Sequence, residues 1–329
     1  MFPSPFPHKV RRVRPILLLL CLVSAAGAQP VATNRPAVAG AVGGTNVPAA
    51  EAVELEFRQL VAADARALEE VEQWVHLPQG GGGGAALRKR MDERFAGVRR
   101  AYEDFLRRHP GHARARVAFG NFLNESGEED AAKTQWEQAL VITPNDAELF
   151  NNLANFFGHR GPVKQAFAYY AKAIEFAPRA ATYYQNFATT VFLFRKDARE
   201  FYQISEDEVF DRAMQLYRRA LEIEPDNYEL AVDLAQSYYS IKPSRIPEAV
   251  AAWNYTLKLA PDDLQRERAH LHLARFKIRT GLFEEARRHL NVITNAFNEP
   301  VRVRVLRDLE AREKKAGQTG KGALPVPFN

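Results

Sequence analysis

The chain has 329 residues, of which 46% are hydrophobic and 26% charged, a balance that suits a water-facing protein with a sizeable core. It carries 45 Lys and Arg against 40 Asp and Glu, and a single cysteine. Most of the +5 excess sits in residues 1–28, whose removal leaves 41 basic residues against 40 acidic ones and no cysteine. That remainder has no disulfide, no zinc thiolate site and no thiol nucleophile, and it lacks the basic excess of a nucleic-acid binder.

Lys9, Arg11, Arg12 and Arg14 precede the apolar stretch Ile16 to Ala26, and Ala26-Gly27-Ala28 follows as a small-x-small cleavage signal. Eleven residues are too few to cross a bilayer, which takes roughly 20. Residues 1–28 therefore read as a signal peptide removed before Gln29, and the mature chain as periplasmic or secreted. Residues 29–48, rich in Pro, Ala, Gly and Val, read as a disordered leader. An amphipathic helix is expected over 49–76, with Val53, Phe57, Leu60, Leu68, Val71 and Trp74 near helical spacing. Pro78 and Gly80 to Gly84 then make a hinge over 77–86.

A period appears after the hinge. Pro110, Pro144 and Pro178 are 34 residues apart; Gly127 recurs as Gly161, Ala132 as Ala166, Ala139 as Ala173, and Gly120 as Ala154 and Ala188. A unit of that length cannot bury its own apolar face, so successive copies must stack. Half a unit is followed by helical hairpins near 113–144, 147–178, 181–225 and 228–261, with a worn fifth at 267–297. The third carries 13 extra residues near 195–207. There Ser205 and Glu208 have capping-box spacing, so its second helix is expected to begin early and project. A capping helix follows over 298–315, and residues 316–329 read as a disordered tail.

Within each unit stand a small residue in the first helix, a turn glycine, Ala-x3-aromatic-x2-Ala in the second helix, and a proline. In the first unit these are Gly120, Gly127, Ala132, Trp136, Ala139 and Pro144. The pattern over 87–297 resembles the tetratricopeptide repeat. It departs from the family at its first aromatic position, which is Arg116 in the first unit and Ala231 in the fourth. The resemblance implies an all-α, right-handed solenoid whose first (A) helices line a concave groove and whose partners are proteins or peptides.

Asn121 recurs as Asn155 and Asn152 as Asn186, all inside A helices, where Asn costs up to roughly 0.7 kcal/mol relative to Ala. Family members that bind extended polypeptides use such an asparagine ladder, so Asn121, Asn152, Asn155 and Asn186 are the candidate partner-binding residues. Solvated polar positions copied by duplication are the competing reading. Family members that clamp a C-terminal carboxylate add basic residues, but the matching places read Val117, Thr182 and Asn186. Phe201 and Tyr202, among charges in the insertion, are a second candidate anchor unless they fold back onto the solenoid.

Chemistry is sparse. His270 and His272 are two apart and point to different sides of a helix, so they cannot share an ion. No serine lies in a nucleophile motif, and the glycine run lacks a following Lys-Ser/Thr. The expected function is a non-catalytic scaffold or adaptor with no cofactor, metal or nucleic acid. An envelope assembly or chaperone-like factor with many clients, and then an enzyme or a dedicated subunit of one, are the alternatives. N-terminal sequencing of the protein from its own host should begin at Gln29, and EDTA or a reductant should leave the melting temperature unchanged. A chain beginning at Met1, or a drop of several degrees, overturns the respective expectation.

Overall fold

A computed structural model of the protein describes residues 49–76 and 83–318, and every regular element among them is helical. The signal peptide (1–28), the leader (29–48), the first part of the hinge and the end of the tail lie outside the described residues. Two helices come first, α1 (Ala49–His76) and α2 (Gly83–Arg108). Four hairpins follow, α3 (Ala113–Glu125) with α4 (Glu129–Ile142), α5 (Ala147–Arg160) with α6 (Val163–Phe176), α7 (Ala181–Leu193) with α9 (Glu206–Ile223), and α10 (Tyr228–Ser237) with α11 (Ile246–Leu259). The short α8 (Arg195–Tyr202) lies inside the third. The fifth hairpin is α12 (Asp263–Arg279) with α13 (Phe283–Asn291), and α14 (Glu299–Gln318) ends the stack. The molecule is an α-solenoid, each hairpin packing on the next.

The repeat landmarks are the buried ones. Ala132, Ala139, Ala154, Ala166, Ala173, Ala188, Ala213 and Ala220 have no exposed surface, because each stands where two helices meet at close range. Gly120 is the extreme case: a Cβ built there would lie 2.6 Å from Cδ1 of Trp136. Gly127 and Gly161 turn hairpins one and two with positive φ of 88° and 75°, where a side chain is strained. Two large clusters of buried residues result, one reaching from Phe57 to Leu153 and the other from Ala154 to Phe276. Phe156 and Tyr169 of the second hairpin pack against both.

The insertion differs from its expected form. Ser205 does close a capping box with Glu208, its backbone N–H and Oγ both lying 2.8 Å from Glu208 Oε2. The residues before it, however, make a helix of their own. Tyr202 and Phe201 close α8 and the chain reverses at Gln203, φ 55°. Their rings lie 5.8 and 5.5 Å from that of Phe167 on α6, so the tip folds back along the solenoid instead of projecting. Two further boundaries shift: α2 already includes Gly83 to Ala86 of the expected hinge, and α14 extends past residue 315 to Gln318. Ala, Lys and Gln at that end are good helix formers.

The N-terminal helix is docked. α1 runs antiparallel to α2, with Glu70 paired to Arg94 at 2.8 Å, Asp64 accepting from Tyr102 OH at 2.8 Å and Glu56 accepting from Arg108 at 2.8 Å. Glu54 reaches Arg114 of α3 with both oxygens at 3.0 Å, and Phe57 packs on His112. At the other end Glu267 of α12 gathers the loop ahead of α14. It accepts from the Thr294 and Asn295 N–H groups at 2.8 and 3.1 Å and from Asn298 Nδ2 at 3.0 Å.

Asp64 is 9% exposed, and its Oδ1 is buried with no hydrogen-bond partner. Burial raises its carboxyl to about 6, against the opposing hydrogen bond from Tyr102. A folded value above the unfolded one means stability is fully present below the unfolded pKa near 3.8 and is lost as pH rises through about 6. Asp64→Asn keeps an acceptor for Tyr102 and removes the buried charge. It should stabilise the protein at pH 7 by roughly 1–3 kcal/mol and flatten the melting temperature between about pH 4 and 7. Thermal melts of both proteins across that range check it; equal slopes overturn it.

Candidate functional site

Directly after the small residue of each A helix stands Asn121, Asn155, Thr189, Gln236 or Arg275. In three hairpins this residue meets the aromatic head of its own helix B. Trp136 Nε1 donates to Asn121 Oδ1 at 3.0 Å, Tyr170 OH to Asn155 Oδ1 at 2.6 Å, and Thr189 Oγ1 and Tyr217 OH share a bond of 2.8 Å. These bonds give buried aromatics a place for their polar atoms, and they clamp each hairpin shut.

The fourth hairpin lacks the clamp, and the sequence supplies the reason. In the first, the Trp136 indole occupies the space that a Cβ on Gly120 would fill. The fourth has Ala235 in that place, so Trp253 cannot sit likewise. Its ring instead stacks on His272 of α12, centroids 3.9 Å apart and planes 7° from parallel. Trp253 is 2% exposed, and its buried Nε1 has no hydrogen-bond partner.

Two and three residues ahead of the small residue, a second row ties one A helix to the next. Asn152 Nδ2 donates to Asn121 Oδ1 at 3.0 Å, Asn186 Nδ2 to Asn151 Oδ1 at 3.1 Å, and Gln185 Nε2 to Asp233 Oδ2 at 2.8 Å. Just beyond the end of α10, Tyr239 OH then meets His272 Nδ1 of α12 at 2.8 Å. Polar bonds thus run along the A helices from α3 to α12. Burial, followed by the charge of Arg275, lowers His272 to about 3, so this link is neutral throughout the physiological range.

Of the four predicted asparagines, Asn121 belongs to both rows, Asn152 and Asn186 to the second and Asn155 to the first, and they differ in what they have left to offer. Asn121 accepts two bonds and donates a third to Glu148 at 3.1 Å, which leaves it one N–H. Asn152 keeps its Oδ1, Asn155 both N–H groups of its amide, and Asn186 its Oδ1, with no partner among the described residues. All four are half-buried. In the insertion, Tyr202 is half-buried with Arg212 lying 4.0 Å over its ring, whereas Phe201 is 41% exposed.

Sequence reasoning found the recurrence of the asparagines but missed their partners. The signal was present in the constant step from each small residue to its successor and on to the helix-B aromatic. Among the described residues no group of three His, Cys, Asp or Glu side chains could hold a metal ion. His270 faces His289 of α13, Nδ1 to Nδ1 at 2.9 Å, and burial lowers both rings below the usual imidazole range. Also among the described residues, no helix is long and apolar enough to cross a membrane.

Two substitutions separate the clamp from solvated polarity. Asn121→Ala strips the Trp136 N–H of its acceptor and should cost about 1–3 kcal/mol in urea unfolding. Gln236→Ala, at the clampless hairpin, should stay within about 0.5 kcal/mol of wild type. Equal costs would show that the indole bond contributes nothing.

No protein-family profile matches the chain. The human protein IFIT1 homolog B is 26% identical over 185 residues, which cover 54% of this chain and 39% of that protein. The chain thus spans about two fifths of the length of the curated relative it matches. Among solved structures, Pseudomonas aeruginosa PilF is 13% identical, covered in full and covering 80% of this chain, at a TM-score of 0.47. YrrB, described as a TPR protein with an unusual peptide-binding site, is 15% identical, with 65% of this chain and 98% of that one covered, at 0.47. Human IFIT1, solved as a dimer with PPP-AAAA, is 19% identical, with 68% and 51% covered, at 0.44. The fold assignment rests on the chain's own period and packing. By its 34-residue repeat, its buried small residues and its stacked helical hairpins, this chain is an α-solenoid whose units resemble the tetratricopeptide repeat.

Proposed function

We propose that the chain is a non-catalytic adaptor that holds an extended polypeptide segment along its A-helix groove, outside the cytoplasm or in the cell envelope. The observation that carries this reading is the unspent hydrogen-bonding capacity of Asn152, Asn155 and Asn186 on adjoining A helices. An extended backbone offers alternating N–H and C=O groups, and an amide that keeps either an acceptor or donors can meet either kind. Side-chain amides read backbone without demanding a particular residue, which suits an adaptor. The export reading rests on residues 1–28 and belongs to the same proposal.

The test starts from a crosslinked pull-down from the envelope fraction of the native host, followed by titration of the captured partner. Replacing Asn152 and Asn155 together with Ala removes up to four free amide functions, each worth roughly 0.5–1.5 kcal/mol, so affinity should fall by about one to three orders of magnitude. A thermal melt accompanies the titration, because Asn155 also accepts from Tyr170. Undiminished binding by a folded double variant overturns the groove reading and moves attention to Phe201. Capture of many unrelated unfolded chains would mark a chaperone-like factor.

A further inference from the structure

The row of clamp residues ends in a cation. Arg275 follows Ala274 as Asn121 follows Gly120, and helix B of the fifth hairpin carries Leu290 where the others carry an aromatic head. Arg275 therefore has no head group to bond within its hairpin. Arg268, His272, Arg275 and Arg279 follow one another at steps of four, three and four, which places them on one face of α12. Among the described residues none of these three arginines forms an ion pair. Arg275 is half-buried, while Arg268 and Arg279 are exposed. Tyr239 stands beside them, joined to His272 and lying 5.3 Å from the Arg279 guanidinium. The near-zero charge of the chain after residue 28 hides this local stripe.

The rest of the row has the opposite character. Its first three A helices present amides and hydroxyls, and carboxylates interrupt it at Glu148 beside Asn121 and at Asp233 beside Gln185. A nucleic acid laid along the groove would bring a phosphate past each of those carboxylates, at a repulsive cost that a polypeptide with neutral residues there avoids. Guanidinium groups match carboxylates in planarity and in donor spacing.

We infer that Arg268, Arg275 and Arg279 form an anion-holding end of the groove, taking the side-chain carboxylates of an acidic stretch at one end of a bound polypeptide whose remainder lies on the amide positions. This rests on the groove reading above and adds to it a charge and a polarity for the ligand. It also makes the two ends of the groove inequivalent, so a segment binds in one direction.

The experiment uses the full mature chain and an array of short extended peptides. Each peptide carries an Asp/Glu stretch at one end, and its counterpart carries Asn/Gln in the same places. A single-stranded RNA of similar contour length serves as a third probe. Acidic peptides should bind about tenfold tighter than their amide counterparts, and the difference should shrink as salt rises. Arg275→Gln with Arg279→Gln should abolish it, Gln being the residue that the fourth hairpin already carries at the Arg275 position. Should that pair fail to fold, Arg279→Gln alone, an exposed site, should still reduce it severalfold. Equal binding of acidic and amide peptides overturns the inference while leaving the groove reading intact. Loss of all peptide binding, together with an undiminished partner titration in the Asn152 and Asn155 variant, overturns both. RNA outcompeting every peptide, and weakened by the same arginine changes, replaces the acidic segment with a nucleic acid.

Discussion

In the first hairpin the fourth residue beyond the helix-B alanine fills the space over the small residue of helix A, and in the next three the same pair of positions sets where the helix-B aromatic goes. Where the small residue is Gly120, the Trp136 indole drops into the missing Cβ and its N–H reaches Asn121. Where it is Ala154 or Ala188, a smaller tyrosine reaches the next residue with its hydroxyl. Where Ala235 is paired with a tryptophan, the two do not fit together and the indole turns to His272. The closeness of the helices, the buried alanines and the row of polar residues all follow from this one contact. A buried N–H without an acceptor costs about 1–3 kcal/mol, so the fourth hairpin carries a local deficit.

The hairpins were legible because a repeat states its period several times over. Three prolines, two turn glycines and four alanines agree on 34, and no competing fold satisfies them all. The Ser205 capping box was legible for a different reason, since it is local and needs no tertiary knowledge. The asparagines show where reading stops. Their recurrence was visible, but whether Asn121 faces a ligand or Trp136 depends on side-chain direction across two helices, which sequence spacing does not state. Arg275 was missed because it stands 39 residues after Gln236, off the 34-residue period. The return of Phe201 and Tyr202 onto Phe167 likewise depends on a reversal at Gln203 that no turn residue announces.

Docking of α1 adds a different kind of contact to the stack. Its ends are fastened by ion pairs open to solvent on one side, Glu54 to Arg114 and the half-buried Glu70 to Arg94, each worth little alone and weakened by salt. Its middle is held by apolar packing and by Asp64, a group that burial makes unfavourable in its charged form. Glu267 fastens the opposite end in the reverse manner, its carboxylate surrounded by donors from the loop it holds.

The sharing of Phe156 and Tyr169 between the two buried clusters has a consequence for how the chain opens. Stability in a stacked array is a sum of unit terms and neighbour couplings, and cooperativity travels only as far as the couplings allow. Here the coupling between the two halves passes through the rings of one hairpin. Amide exchange in α3 and α4 should then report one opening reaction and exchange in α9 and α11 another, with α5 and α6 protected by whichever half is closed. The second hairpin, which also carries three of the five asparagines of the two polar rows, is the joint through which a change in one half reaches the other.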